Sequence, residues 1–298
     1  MTTQSSSLPP EGSRRRLLAA LYRRRPAQLL ILLAPPAGWF GVIYLGSLAI
    51  LLLSAFWYLN PVTSAVVHDF SLSNFQQLFS DPVNAAIVQR TVTIALAVTA
   101  ADMALAFPIA YFMARVASPR ARSVLFMAVL LPLWSNYLVR VFAWKIILAQ
   151  GGPLDGLLGV FGLQGPGFSD VSTWLVFTYL WLPYMILPIY AGFERIPGSL
   201  FEASADLGGR GAATFRRVVL PLVLPAVAAG SIFTFSLTLG DYITPELISK
   251  HQFLGSVIYT NQGVANNIPF AATFAIVPIG IMAIYLLIAR RLGAFDAL

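Results

Sequence analysis

The chain is 298 residues long, carries a formal net charge of +7, and is 58% hydrophobic but only 10% charged. Soluble domains have about 25% charged residues, so this composition excludes an ordinary soluble protein and indicates a chain that lies mostly in lipid. Cysteine is absent, which excludes disulfides, thiolate nucleophiles and cysteine metal sites.

The positive charge does not indicate nucleic-acid binding. Basic residues form short clusters between apolar runs and are not interleaved with aromatic residues, so no nucleic-acid partner is predicted. The two histidines, His68 and His251, have no carboxylate or second histidine at ligand spacing, so no metal site is predicted. No G-x-x-x-x-G-K-[ST] motif occurs, so no nucleotide cofactor is expected in this chain.

The N-terminal segment is predicted to be a tail. Residues 1–13 are polar, and arginine clusters follow at 14–16 and 23–25. The uncharged run that comes next extends past Leu59, which is too long for the apolar core of a cleaved signal peptide. We therefore predict a cytoplasmic tail over residues 1–28 and an uncleaved first span.

Six apolar stretches are long enough to cross a membrane, since about 20 residues at 1.5 Å each span a core of about 30 Å. The predicted spans are 29–57, 87–114, 124–148, 171–193, 218–244 and 270–289. Together they form one transmembrane domain over residues 29–293, followed by a short tail over 294–298. Residues 70–81 are predicted to be amphipathic, and the glycine-rich residues 151–167 are predicted to be a loop.

The distribution of Lys and Arg predicts the orientation of these spans. All but four of the 19 Lys and Arg residues lie in the tails, in the second connection or in the fourth connection. The four exceptions are Arg90, Arg140, Lys145 and Lys250. Both termini and the fourth connection are therefore predicted to be cytoplasmic.

The fourth connection contains the longest charged stretch, Ser199 to Pro221, SLFEASADLGGRGAATFRRVVLP. The Ser199 hydroxyl and the Glu202 carboxylate are predicted to cap each other's backbone amides, which starts a helix after Pro197-Gly198. Gly208 is predicted to end that helix in the left-handed conformation, before a second short helix. One face of the first helix is predicted to carry Leu200, Ala203, Ser204 and Leu207. The alternative is a solvated loop helix in which Glu202 serves only its own N-terminus.

The residue order in this stretch resembles the cytoplasmic loop of ABC importer permeases, whose pattern is E-A-A, then G, I and L-P. The matching residues are Glu202, Ala203, Ser204, Gly208, Val218, Leu220 and Pro221, with Ser204 where the family has Ala. The resemblance implies an all-α membrane protein with six transmembrane helices, the type I ABC importer permease (MetI-like) fold, and cytoplasmic coupling helices. It also implies which residues couple the chain to an ATPase: Glu202, Ala203, Ser204, Leu207 and Gly208.

Three further stretches resemble the polyamine (spermidine and putrescine) branch of these permeases, which also includes opine carriers. They are FPIAYFMAR at 107–115, with Ala106-Phe107 where the branch has Gly-Tyr, LPLWSNYLVRVFAW at 131–144, and LGDYITPELI at 239–248. The resemblance covers about residues 29–291. It implies a second, different permease, two ATPase subunits that bind ATP and Mg²⁺, and an external or periplasmic solute-binding protein, assembled in membrane lipid at the bacterial inner membrane.

Charged residues inside spans are the first candidates for a substrate path, because each costs about 2.5 to 3.5 kcal/mol on insertion scales and should be paired or face a cavity. Counting along straight helices puts Asp241 and Arg140 at the same depth, so we predict that they pair. Aromatic faces beside a carboxylate suit a cation. The candidates are Asp241, Tyr242, Arg140, Trp144, Trp181 and Asp102, with Lys145 as a further charged residue inside a span. The alternatives are charges that only neutralise one another and tryptophans that only anchor the membrane interface.

The sequence favours the permease subunit of an ATP-driven importer for a small organic cation such as spermidine or putrescine. One alternative is a secondary transporter or channel that works without an ATPase, and another is the same importer type with an opine or other amine as substrate. An intramembrane enzyme is a third class. The chain shows no Ser/His/Asp set, no paired carboxylates within one span and no metal cluster, so no enzymatic activity is predicted.

Overall fold

A computed structural model describes residues 25–291 of the chain. The chain divides after Ser54 into two compact units. The first unit holds one helical segment, made of α1 (Arg25–Trp39), a π-helical turn (Phe40–Leu45) and α2 (Gly46–Ser54). Its apolar portion, Leu32–Ser54, has 23 residues, which is long enough to cross a membrane. This segment confirms the first predicted span. The predicted tail at 1–28 lies outside the described residues except for its last four residues, which form the first turn of α1, and the predicted tail at 294–298 lies outside them entirely.

The second unit begins with a small polar segment. A two-stranded antiparallel hairpin pairs β1 (Tyr58–Leu59) with β2 (Val66–Val67), and α3 (Ser73–Ser80) follows. The Asn74 side chain donates to the Trp57 carbonyl at 2.7 Å, which holds α3 against the chain before the hairpin. The predicted amphipathic stretch at 70–81 is therefore a helix with one buried face, and the hairpin is an addition to the all-helical expectation.

The remaining helices carry the other five spans. They are α4 (Pro82–Tyr111) with a π-helical turn (Phe112–Val116), α5 (Pro119–Trp134), α6 (Tyr137–Leu148), α7 (Pro153–Gly159), α8 (Asp170–Glu194), α9 (Ser199–Asp206), α10 (Gly211–Thr214) with a π-helical turn (Phe215–Val219), α11 (Leu220–Gly240), α12 (Ile243–Ile248), α13 (Leu254–Tyr259) with a π-helical turn (Thr260–Val264), and α14 (Ile268–Arg291). Four of the five spans are helical segments long and apolar enough to cross a membrane, and the remaining one is a bent pair. The six predicted spans are thus all present.

Polar residues just before the spans explain where several helices begin. Asp81 accepts a hydrogen bond from the Val83 amide at 2.8 Å, and Ser118 and Ser169 cap α5 and α8 in the same way. Pro82 and Pro119 occupy the first helical positions, where their missing amide hydrogen costs nothing.

The third span is broken, whereas the sequence predicted one unbroken helix over 124–148. α5 and the segment Tyr137–Gly159, which holds α6 and α7, are bent by 93° at a break around residues 135–136. Pro132 has no amide hydrogen, so α5 lacks one backbone hydrogen bond near its end. The Asn136 side chain accepts from the Leu138 amide at 2.9 Å, and this cap starts a new helix.

Two further segment predictions are wrong. The fifth span ends at Gly240 rather than at residue 244, and the extended residue Asp241 separates α11 from the short helix α12. The predicted loop at 151–167 contains α7, which begins at Pro153. The Asp155 carboxylate accepts from the amides of Gly151 and Gly165, and these bonds hold the ends of the loop together around that helix.

Three spans, α4, α8 and α11, pack against one another to form the core of the second unit. Small residues allow the close approach. A Cβ atom built on Gly230 would lie 2.8 Å from the Met185 sulfur, and one on Gly192 would lie 2.6 Å from the Ala226 Cβ. This core positions two regions at opposite ends of the spans: the connection at 195–219, hereafter the Glu202 loop, and the break around Asp241.

Candidate functional site

The first helix of the Glu202 loop, α9, begins without a side-chain cap. The backbone carbonyl of Gly198 accepts from the amides of Phe201 and Glu202, at 2.9 and 3.3 Å, and Ser199 is already helical. The predicted capping box between Ser199 and Glu202 is therefore wrong, because the Gly198 carbonyl, rather than the Ser199 hydroxyl, accepts from the Glu202 amide. Glu202 is exposed and is not needed to cap its own helix.

The end of α9 follows the prediction. Gly208 has a φ of +74°, a left-handed conformation that glycine adopts without steric cost. The Gly209 amide donates to the Ser204 carbonyl at 2.8 Å, and the hydroxyls of Ser204 and Thr214 are 2.7 Å apart. Ser204 thus ties α9 to α10 through both its backbone and its side chain. The two short helices form one braced element rather than two independent turns.

The predicted face of α9 borders a shallow cavity of about 330 Å³ between α9 and α10. Its lining includes all four predicted residues, Leu200, Ala203, Ser204 and Leu207. Leu207 is 89% exposed, which is a large exposed fraction for an apolar side chain. An exposed apolar side chain beside a rigid helix suits a docking contact with another protein.

The second region centres on the Asp241 carboxylate at the break after α11. One carboxylate oxygen accepts from the amides of Ile243 and Thr244, at 2.8 and 3.3 Å, which caps α12. The other oxygen accepts from the Thr244 hydroxyl at 2.9 Å and from the Tyr137 hydroxyl. Tyr137 is the first residue of α6, so this carboxylate joins the break in the fifth span to the break in the third.

The predicted ion pair between Asp241 and Arg140 does not form. Tyr137 takes the position beside the carboxylate, and the Arg140 guanidinium carbon lies 6.0 Å from the centre of the Tyr137 ring. Within the described residues, Nε and Nη1 of Arg140 are buried without a hydrogen-bond partner. The depth count assumed straight helices and missed the breaks, which bring Tyr137 between the two charges.

Two cavities adjoin at Gly240 and Tyr242. The first, about 400 Å³, is lined by Tyr137, Trp181, Ser236, Leu237, Gly240, Asp241 and Tyr242. The second, about 520 Å³, is lined by Gly240, Tyr242, Gly255, Ile258, Tyr259, Gln262 and Gly263. Tyr242 stacks on Tyr259 with ring centres 4.5 Å apart, and Tyr137 stacks on Trp181 at 5.9 Å. A carboxylate and aromatic faces therefore meet in one place, a combination that can bind an ammonium group.

The structure separates the other candidates from these cavities. Trp144 packs on Tyr179, with ring centres 5.4 Å apart, and lines neither cavity. Asp102 is fully buried on the face of α4 that carries Val98 and Ala106, and within the described residues both its oxygens lack a partner. The expectation that Asp102 is paired or faces one of these cavities is therefore not met.

An ion cluster at the Asp241 end was not predicted from the sequence. The Asp170 carboxylate lies 3.0 Å from the His251 Nδ1, 3.5 Å from the Arg90 Nε and 3.2 Å from the Ser249 hydroxyl. These contacts tie the segment after α12 to the start of α8. His251 is thus placed by a carboxylate of the fourth span, a partner 81 residues away that no local spacing could indicate.

Sequence reasoning also missed Tyr137, Thr244, Tyr259 and Gln262. Tyr137 and Thr244 do lie inside two of the stretches that resemble polyamine permeases, and that was the one available signal. Tyr259 and Gln262 lie in a segment that carried no motif.

The sequence is similar to those of known transport permeases. Residues 106–294 match the family model "Binding-protein-dependent transport system inner membrane component". The chain is 46% identical over 279 residues to the inner membrane ABC transporter permease protein YdcU of Escherichia coli (strain K12), covering 88% of this chain and 89% of that protein. It is 27% identical over 260 residues to the spermidine/putrescine transport system permease protein PotB of the same strain, covering 85% of this chain and 94% of that one.

Solved structures show the same fold at low sequence identity. A chain of a bacterial alginate ABC transporter, in complex with an alginate pentasaccharide-bound periplasmic protein, superposes with a TM-score of 0.71 at 18% identity, covering 95% of this chain and 98% of that chain. A chain of the inward-facing MetNI methionine ABC transporter superposes with a TM-score of 0.56 at 15% identity, covering 72% of this chain and 95% of that one.

Proposed function

Because the chain belongs to the family of binding-protein-dependent transport system inner membrane components and has the type I ABC importer permease fold, we propose that it forms part of the translocation path for a small organic cation, driven by ATP hydrolysis on partner subunits. It is a multi-pass inner-membrane permease, and its family consists of transport permeases rather than enzymes. We take the substrate to be a polyamine such as spermidine or putrescine.

The observation that carries this proposal is the Glu202 loop. Two short helices, braced by Ser204 and Thr214, expose Glu202 and the apolar Leu207 at one end of the spans. A rigid helix that presents an apolar side chain and a carboxylate can sit in a groove of a soluble ATPase. A secondary transporter or channel works without an ATPase and needs no docking element for one, so the loop favours the importer over that alternative.

The proposed assembly has two different permeases, two ATPase subunits that bind ATP and Mg²⁺, and an external solute-binding protein. We place the Glu202 loop and both termini in the cytoplasm. The clustering of Lys and Arg in the tails, the second connection and the fourth connection supports this orientation.

Replacing Glu202 by lysine is expected to lower ATP-driven uptake about tenfold, because it reverses the charge at the proposed ATPase contact while leaving the backbone caps of α9 in place. The measurement is uptake and ATP hydrolysis by the complete complex in proteoliposomes. Asp206→Lys is the matched control, since it makes the same charge change at the opposite end of the same helix. Co-purification of the chain without any ATPase subunit, together with full uptake by Glu202→Lys, would contradict the importer function.

The polyamine assignment rests on the two cavities that adjoin at Gly240 and Tyr242 and on the PotB relatives, whose name specifies spermidine and putrescine. The lining of both cavities contains one carboxylate, Asp241, together with the aromatic rings of Tyr137, Trp181, Tyr242 and Tyr259, and no basic side chain. A carboxylate beside aromatic faces is a lining that attracts an amine. An opine, which also carries carboxylates, is the competing substrate class.

Asp241→Asn tests the charge separately from the cap. An asparagine oxygen can still accept from the Ile243 and Thr244 amides, so α12 should form while the negative charge is lost. We expect uptake of radiolabelled putrescine to fall at least tenfold with unchanged assembly. Asp155→Asn is the control, because that carboxylate also accepts from two backbone amides but lies in the loop around α7. Normal putrescine uptake by Asp241→Asn would show that the negative charge of Asp241 is not required for transport.

A further inference from the structure

Arg115 connects three separate elements at the base of the Glu202 loop. It lies in the π-helical turn at the end of α4, and one terminal nitrogen of its guanidinium donates to the carbonyls of Phe193 and Ile196. Its guanidinium carbon also lies 5.0 Å from the centre of the Phe201 ring. Phe193 belongs to α8, Ile196 to the connection and Phe201 to α9, so a single side chain of the second span reaches both sides of the Pro197-Gly198 junction.

The Phe193 carbonyl lies in the last turn of α8, and the Ile196 carbonyl lies two residues beyond the end of that helix. A positive charge at this end of a helix interacts favourably with the helix dipole, and hydrogen bonds to a charged group are stronger than neutral ones. The surroundings are mostly dry: Phe193 and Ile196 are buried, and the Arg115 Nε is buried with no hydrogen-bond partner in the described part of the chain. Water therefore competes weakly for the guanidinium, which stays with its protein partners.

The contact with Phe201 fixes the direction in which α9 leaves the spans. Phe201 lies in the first turn of α9 and is partly buried against the core cluster that includes Ile196. Residues 195–198 are the only covalent connection between α8 and α9. Proline and glycine at 197 and 198 interrupt the helix there. Side-chain contacts therefore contribute to the angle between the two helices, together with short-range backbone bonds such as Ile196 to Phe193 and Leu200 to Pro197.

We propose that Arg115 is the positioning residue that makes α9 move as one body with the second and fourth spans, so that a displacement of the Glu202 loop by an ATPase reaches the translocation path. This inference rests on the proposed function of the Glu202 loop. Arg115 does not touch the ATPase itself; it acts through Phe201 and the end of α8.

A nearby arginine offers a matched comparison. Arg122 donates to the carbonyls of Met113 and Ala114, at 3.1 and 3.0 Å, and lies 3.4 Å from the Glu194 carboxylate. It thus binds two carbonyls and the end of α8, as Arg115 does, but within residues 25–291 its hydrogen bonds and ion pair are not with α9. Loss of Arg122 tests the general effect of removing an arginine brace from this region.

The experiment uses the complete complex with its own partner subunits, reconstituted in proteoliposomes with the external binding protein and putrescine. The readouts are basal ATP hydrolysis, hydrolysis stimulated by the loaded binding protein, and substrate taken up per ATP. For Arg115→Gln we expect uptake per ATP to fall about tenfold, with the complex assembled and basal hydrolysis retained. Arg115→Lys, which keeps the charge and can still bond one carbonyl, is expected to recover much of this loss, and Arg122→Gln to stay within about twofold of the parent.

Phe201→Leu separates coupling from folding, because it removes the aromatic face but keeps an apolar side chain in the core. We expect a smaller loss of uptake per ATP than in Arg115→Gln, and little additional loss when the two changes are combined. The proposal is overturned if Arg115→Gln takes up as much substrate per ATP as the parent, or if Arg122→Gln lowers uptake per ATP as much as Arg115→Gln does. If the parent complex itself shows no ATP-dependent uptake, the result contradicts the proposed function and not the role of Arg115.

Discussion

Replacing Gly208 by valine is expected to reduce ATP-driven uptake to background. The φ of +74° at this position places a β-branched side chain against its own backbone, at a cost of about 1–3 kcal/mol that the short α9 cannot absorb. The turn would open, the Gly209 amide would leave the Ser204 carbonyl, and α9 would lose its fixed angle to α10. The measurement is uptake and stimulated ATP hydrolysis by the reconstituted complex.

Two variants distinguish conformation from size at this turn. Gly208→Asn is expected to retain most of the activity, because asparagine enters the left-handed region more easily than other residues with a side chain. Gly211→Ala is expected to be silent, since an added Cβ there meets nothing within 4 Å and its φ is not positive. Parental activity of Gly208→Val would show that the left-handed turn is not required.

Replacing Gly255 by alanine is expected to have a comparably large effect at the other end of the spans. An added Cβ would lie 2.5 Å from the Asp241 carbonyl oxygen and 3.0 Å from that of Gly240, and both are backbone atoms that cannot rotate away. α13 would have to move off the break, which would misplace Asp241 and separate Tyr259 from Tyr242. We expect uptake to be lost and the thermal unfolding midpoint of the purified complex to fall, consistent with an overpacking cost of about 1–3 kcal/mol.

Gly240→Ala is the matched control for Gly255→Ala. Gly240 lies in the same break and borders both cavities, but a Cβ added to it meets nothing within 4 Å. We expect an unchanged midpoint and at most a modest loss of uptake. A Gly255→Ala protein with the midpoint and uptake of the parent would mean that the break tolerates displacement of α13, and would remove the basis for treating it as a fixed site.

The sequence predicted the spans and the turn at Gly208 because each depends on local chemistry. Twenty consecutive apolar residues have few alternatives to a membrane helix, and a Gly-Gly pair after an amphipathic turn has few alternatives to a left-handed helix end. Ser199 shows the limit of the same reasoning. Its spacing to Glu202 suits a capping box, but the Glu202 amide donates to the Gly198 carbonyl instead. Both arrangements are local, and the residue pattern does not distinguish them.

The break in the third span and the contacts of Asp241 could not be predicted in the same way. Pro132 and Asn136 were visible, but proline is common in membrane helices and gives no angle by itself. Tyr137 and Asp241 are 104 residues apart, and Arg115 is 86 residues before Phe201, so each contact depends on how whole spans pack. Such contacts follow from the tertiary arrangement and produce no periodic pattern in the sequence.

The joined breaks at Tyr137 and Asp241 also constrain the order in which this protein matures. Asn136 and Asp241 cap α6 and α12, but the bond that links the two breaks needs the third span and the fifth span to be present together. While the chain is being synthesised, the third span enters the membrane about a hundred residues before its partner. The ends of these spans next to Asp241 can therefore reach their final arrangement only after both spans are in the membrane, because the contact that joins them is long-range.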